Sequence, residues 1–244
     1  MSCDKILLIT GASSEVGSEL IKSIGFSYKK IWAHYNSSSE SIEKLRNVLG
    51  EHIVPIQADF TSLESTQTLI NTIKNSGDYP DHIVHLAAPK AKNLHFHKHS
   101  WDGIQTEIDV CLRSITMLLL EFIPKMAKKK HGKIVFMLTA YLLGLPPKFQ
   151  TSYITVKHAL LGLMRSLASE YAPKGIMINA VSPEMMETKF LSNLPEWILE
   201  QNASNSPLGR NIRVDEVVPA IIYLLSAASD SVTGQNIGIT GGAR

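Results

Sequence analysis

Short β-branched runs alternate with longer stretches of helical period along the chain, and this alternation predicts βαβ units built around a parallel sheet. The strand candidates are Lys5–Thr10, Lys30–Tyr35, Ile53–Gln57, His82–Ala87, Lys133–Leu138, Ile176–Val181 and Asn236–Ile239. Apolar positions at helical spacing fill the intervals near 15–26, 39–49, 63–75, 101–130, 152–172 and 214–227. Seven strands fit one sheet, and no Pro-, Gly- or Ser-rich linker is long enough to divide the series into two domains. The expectation is a single α/β domain. Residues 188–213 break the pattern: they are polar and contain Pro195 and Pro207, which predicts an excursion over one end of the sheet, the kind of segment that covers a ligand.

Composition narrows the function. A chain of 244 residues buries a substantial core. Its 24 Lys+Arg nearly cancel its 22 Asp+Glu, so bulk charge favours neither nucleic acid nor an anionic membrane as partner. Cys3 and Cys111 are the two cysteines, far apart, which suits a reducing compartment rather than a disulfide framework. The opening "MSCDKILLIT" lacks a long apolar core before a small-residue cleavage site, and no run reaches the length of a bilayer span. These features lead us to expect a cytoplasmic protein that handles a small molecule.

Three stretches carry candidate chemistry. In "LITGASSEVGSEL" (8–20) a strand runs through Gly11 and Ser13 into a helix with Ser14 as its N-cap and Gly17 in its first turn. Such a turn offers free N–H groups and the positive end of a helix dipole to a pyrophosphate, although a glycine turn joining strand to helix can also be purely structural. Glu15 suits the first helical turn, yet its charge opposes a phosphate; at ~7 Å in water each charge pair costs about 0.6 kcal/mol. About twenty residues on, "AHYNSSSE" (33–40) places Asn36 and Ser37 where an acid would select NAD, which leans toward NADP, while the same residues also read as a loop and N-cap. In "TSYITVKHALLGL" (151–163), Tyr153 and Lys157 lie at i and i+4 on one helix face. An ammonium beside a phenol lowers its pKa and makes an acid/base group; the same spacing is also common on exposed helices.

With these landmarks in order, the chain resembles the short-chain dehydrogenase/reductases along nearly its whole length. The resemblance rests on "TGASSEVG", "ADF" with Asp59, "HLAA" (85–88), "GKIVFMLTA", the Tyr153/Lys157 pair, "NAVSPEMMET" and "VTGQNIGITGG". "SPLGRNIRVDEVV" (206–218) is similar to the 3-oxoacyl-acyl-carrier-protein reductase branch. The resemblance implies a Rossmann-type doubly wound seven-stranded parallel sheet, a substrate lid at about 189–213 and a nicotinamide cofactor, NADP, across the carboxyl ends of the strands. It implies Thr139, Tyr153 and Lys157 as catalytic residues. It implies cofactor contacts from Gly11, Ser13, Ser14, Glu15, Val16, Asn36, Ser37, Asp59, Phe60, Ala87, Ala88, Tyr153, Lys157, Pro183, Met186 and Thr188.

The implied activity is reduction of a ketone such as a 3-oxoacyl thioester, by a homo-oligomer assembled through the helices of 101–130 and 152–172 and the C-terminal strand. Four positions depart from the family pattern: Glu15 replaces a glycine, "HLAA" replaces Asn-Asn-Ala-Gly, Cys111 stands at the helix asparagine of the tetrad, and Glu184 follows Pro183 in place of glycine. They support an alternative, a degenerate member that acts as a non-catalytic assembly partner. Two further features invite other chemistry. His95, His97 and His99 alternate in "NLHFHKHSW" and would face a metal if extended, and the basic run "AKKKHGK" (127–133), like Lys90 and Lys92, would suit an acidic carrier protein.

Overall fold

The computed structural model describes residues 4–90, 92–193 and 195–244. Seven parallel strands form one sheet in the order β3-β2-β1-β4-β5-β6-β7. They are β1 Ile6–Thr10, β2 Lys30–Tyr35, β3 Ile53–Gln57, β4 His82–His85, β5 Gly132–Met137, β6 Ile176–Pro183 and β7 Asn236–Ile239. Both faces are covered, and for that reason the strands are apolar without alternation: β1 is buried at every position. On one face, α3 (Leu63–Ser76), α5 (Ser114–Lys129) and α6 (Thr151–Tyr171) pack with residues such as Leu8, Ile83, Phe136 and Ile178. On the other face, α1 (Glu15–Ile24), α2 (Glu40–Leu49) and α8 (Val214–Leu225) pack with Leu7, Ile9, Val84, Val135 and Val181.

The strand order reverses between β1 and β4, and the crevice at such a switch point is where doubly wound sheets take ligands. Five strand boundaries differ from the sequence reading. β1 starts at Ile6 rather than Lys5, β4 stops at His85, paired with the last residue of β1, rather than at Ala87, β5 both starts and ends one residue earlier, and β6 runs on to Pro183 against β7.

Two expected elements are also subdivided. The helix expected over 101–130 is α4 (Trp101–Glu107), a π-helical segment Ile108–Arg113 and α5. A π segment widens the backbone by one residue per turn and is frequent at functional sites. The expected excursion carries its own helix, α7 (Glu196–Asn205), which buries none of its side chains. Its register is held through Asn211, which accepts from Asn202 Nδ2 (2.9 Å) and donates to Glu187 Oε1 (2.7 Å).

The apolar run 114–123 is mostly core: Ile115, Leu118, Leu119, Phe122 and Ile123 are buried, and Leu120 faces solvent. Among the described residues no helix is long and apolar enough to cross a membrane. Of the two cysteines, Cys111 is buried as a free thiol, and Cys3 lies outside the described residues.

Candidate active site

Peptides leaving β1 to β6 at their carboxyl ends surround a cleft of about 610 Å³. Every residue named from the sequence as catalytic or cofactor-binding lines it, from Gly11 at one end to Thr188 under the lid.

The floor at the first end is the β1–α1 turn. Gly11 has φ +70°, and a Cβ there would meet the Ala87 backbone at 3.0 Å, so only glycine turns here without strain. Gly17 lets the first turn of α1 rest on the preceding loop, since a Cβ would meet the Ala12 carbonyl oxygen at 2.5 Å. Its role is close packing. Ser14 caps α1 by accepting from the Gly17 N–H (3.2 Å) while its hydroxyl donates to the Gly11 carbonyl (2.7 Å). The N–H groups of Glu15 and Val16 belong to the first turn and have no intrahelical acceptor, which suits a pyrophosphate. The Glu15 carboxylate turns toward the lid, where Oε1 accepts from the Lys189 N–H at 3.1 Å.

His34, which sequence reasoning passed over, shapes the adenosine end. Its Nδ1 accepts from the Gly11 N–H (3.0 Å), so Nε2 carries the proton and donates to the Ala58 carbonyl (3.0 Å). The ring stacks on Phe60 with centroids 4.0 Å apart, and burial lowers its pKa to about 4. A neutral histidine therefore ties β1 to β2 and β3 beneath the position expected for the adenine. Asn36 and Ser37 line the cleft beside it, and the Lys189 charge is felt at Glu40, at the start of α2.

At the other end, Thr139, Tyr153 and Lys157 converge. Thr139 caps the short helix Ala140–Leu143 and hydrogen-bonds the Tyr153 phenol. Burial pushes the Tyr153 pKa above the ordinary phenol value, against the lowering effect of the Thr139 hydrogen bond. This corrects the expectation that Lys157 lowers it. Lys157 Nζ lies over the ring face, 5.7 Å from its centroid, and donates to the Met137 carbonyl at 2.7 Å, while its own pKa is lowered by burial. Desolvation of the phenol outweighs an ammonium that meets the ring rather than the oxygen.

The departures from the family pattern interlock. His85 is fully buried and neutral, its pKa lowered to about 3 by burial. Nε2 sits 2.8 Å from the Cys111 carbonyl, which can only accept, so Nε2 carries the proton and Nδ1 accepts from the Thr10 hydroxyl at 2.7 Å. One imidazole thus links β1, β4 and the π segment. Burial raises the Cys111 thiol to about 11, so it remains a neutral apolar group. Glu184 Oε2 accepts from Arg244 Nε (3.0 Å), and the Arg244 guanidinium stacks over Tyr141, a second cleft residue absent from the sequence reading.

The competing features resolve differently. Residues 96–98 form a 3₁₀ turn rather than an extended segment, and His95 packs against His97 and Phe149; among the described residues no group of three His, Cys, Asp or Glu side chains could hold a metal. In the basic run, Lys133 is buried against Ser229 and Asp230, and Lys129 pairs with Asp81 at 2.7 Å. Lys133 therefore offers no charge to a docking partner.

A family model described as enoyl-(acyl carrier protein) reductase, of the short-chain type, matches residues 28–244. The chain belongs to the short-chain dehydrogenase/reductase family. Within it the chain lies nearest the 3-oxoacyl-acyl-carrier-protein reductase branch. It is 29% identical over 247 residues to 3-oxoacyl-[acyl-carrier-protein] reductase FabG of Thermotoga maritima, covering 98% of this chain and 97% of that one. It is 27% identical to an uncharacterized oxidoreductase of Bacillus subtilis, YmfI, with 98% of each chain covered. A crystal structure of 3-oxoacyl-[acyl-carrier protein] reductase from Brucella melitensis superposes with a TM-score of 0.86 at 23% identity, over 98% of this chain and 91% of that one. At that identity the last shows the shared Rossmann fold. This short-chain dehydrogenase/reductase is an oxidoreductase.

Proposed function

We propose that this member is an NADPH-preferring carbonyl reductase acting on a ketone such as a 3-oxoacyl thioester. The observation that carries the reading is the convergence of Thr139, Tyr153 and Lys157 at one end of a cleft whose other end is an open helix N-terminus. The residues fit a nicotinamide dinucleotide: the Glu15 and Val16 N–H groups would hold the pyrophosphate, Asp59 and the Phe60 backbone the adenine, and Lys157 the nicotinamide ribose. Asn36 and Ser37, with Lys189 nearby, favour a 2′-phosphate over a bare ribose. Pro183, Met186 and Thr188 would border the carboxamide.

When bound, the reduced nicotinamide supplies the hydride. Tyr153 Oη donates a proton to the substrate oxygen, and Thr139 shares a hydrogen bond with that oxygen. A phenol held above its ordinary pKa keeps its proton at neutral pH, which suits the reducing direction. The relatives named 3-oxoacyl-acyl-carrier-protein reductases support the thioester as substrate class. A cytoplasmic homo-oligomer belongs to the same proposal.

The test is a fluorescence titration of the purified protein with NADPH and NADH, followed by NADPH oxidation with acetoacetyl thioesters. Micromolar NADPH affinity and thioester-dependent oxidation are expected. Absence of binding by either nucleotide refutes the reading and favours the non-catalytic alternative, for which the apolar Cys111 and the carboxylate at Glu184 are the supporting observations.

A further inference from the structure

Arg113 closes the π segment Ile108–Arg113 and does not itself line the cleft. Its guanidinium is a three-way tie. Nη2 donates to the Phe60 carbonyl and to the Thr61 carbonyl, each at 2.9 Å, so one helical residue grips two consecutive peptides that lie 53 and 52 residues away in the chain. Nη1 pairs with the Asp109 carboxylate at 2.7 Å, one turn back on the same segment. Asp109 is held in turn by Gln105 of α4, whose Nε2 donates to it at 2.9 Å. The Arg113 side chain is 29% exposed and that of Asp109 13%, so the pair is sheltered rather than a loose surface bridge. Its base is fixed as well, because His85 Nε2 donates to the Cys111 carbonyl of the same segment at 2.8 Å.

The gripped peptides follow Asp59. In a trans peptide the C=O and N–H point opposite ways, so a Phe60 carbonyl turned to Arg113 sends the Thr61 N–H toward Asp59. That N–H donates to Asp59 Oδ1 at 2.9 Å, and the Thr61 hydroxyl donates to the same oxygen at 2.8 Å. The Asp59 N–H donates to the Ser65 hydroxyl at 2.9 Å. Backbone and one carboxylate oxygen are thus fixed, and Oδ2 is left for a ligand in the cleft that Asp59 lines. We propose that Arg113 is a positioning residue that sets the base preference of the nucleotide site. The inference rests on the dinucleotide reading above. By fixing the Phe60–Thr61 peptides, Arg113 holds Asp59 Oδ2 as an acceptor for the exocyclic amine of adenine. A base with an oxo group at that carbon turns a lone pair to the carboxylate instead and is rejected. Lysine is an incomplete substitute, since one ammonium lacks the planar fork that reaches two carbonyls and a carboxylate together.

The test is a pair of fluorescence titrations, with NADPH and with reduced nicotinamide hypoxanthine dinucleotide phosphate, in which that amine is replaced by an oxo group. Wild type should favour NADPH by about tenfold in Kd. In Arg113→Met, which keeps an apolar stem and loses every donor, the ratio should fall to about twofold or less through weaker NADPH binding. Arg113→Lys should lie between the two. A residue that only supported the fold would weaken both nucleotides alike and leave the ratio untouched. If the Met variant does not fold, the ratio in Arg113→Lys decides in its place. A wild-type ratio in the variant, or a wild type that binds both nucleotides equally, overturns the proposal and leaves the reductase reading intact. Wild-type protein that binds neither nucleotide overturns both.

Discussion

The carboxylate at Glu15 stands where the phosphate turn would be expected to carry no charge, and the structure makes its effect calculable. Its Oε1 accepts from the Lys189 N–H of the lid, so the side chain is held beside the pyrophosphate position rather than free to swing away. A phosphate on the first-turn N–H groups would lie ~7 Å from it, and in water-like surroundings two phosphate charges at that distance cost about 1.2 kcal/mol. Glu15→Gln removes the charge and keeps an oxygen for Lys189. At low ionic strength the Kd for NADPH should fall by about sevenfold. The Kd for NADH should fall by the same factor, because both share the pyrophosphate. Near physiological salt, where the screening length is about 8 Å, the gain should shrink to about twofold. Fluorescence titration at two salt concentrations measures all four values. An unchanged Kd at low salt would refute the electrostatic argument, and a weaker one would show that the ionised contact with the lid contributes more than the repulsion removes.

Tyr153→Phe removes the donor hydroxyl without changing the ring, so nucleotide binding should persist in the titration while thioester-dependent NADPH oxidation falls by at least about a hundredfold. Gly17→Ala drives a methyl into the Ala12 carbonyl and should cost about 1–3 kcal/mol in urea unfolding, with weaker nucleotide binding, because backbone has to shift. His34 is buried neutral with its pKa lowered to about 4, so the unfolded chain binds its proton first as pH drops. Its contribution is complete above about pH 6.5 and is lost toward pH 4, amounting to about 3 kcal/mol for a shift of this size. His82 and His85 carry the same sign, so thermal melts should show steep loss of stability over that range, and His34→Asn should flatten it. A melting temperature constant from pH 6.5 to 4 would contradict the buried neutral state.

What the sequence by itself determined is the part of the protein that local rules write down. Strand order along the chain, the capping of α1 by Ser14, the need for glycine at position 11 and the i, i+4 pairing of Tyr153 with Lys157 follow from backbone sterics and periodicity, which act within a few residues. Hence β2, β3 and β7 lie where the β-branched runs put them, and the residues read as a nucleotide site line one cleft.

Only the tertiary structure decided what desolvation and partners across the sheet do to the same side chains. Nothing within a few residues of His85 announces that its imidazole will bridge Thr10 and the Cys111 carbonyl, two positions 75 and 26 residues away. Tyr153 carries a raised rather than lowered pKa because burial, a property of the packed molecule, outweighs a neighbour four residues on. Lys133 reads as part of a surface charge run and is instead enclosed by Ser229 and Asp230. Glu107 reads in the sequence as one more acid on a mixed helix and is instead the buried residue of α4. Its burial and its hydrogen bond from Ser152 exist only once α4 and α6 are packed together, because burial is set by contacts distant in the chain.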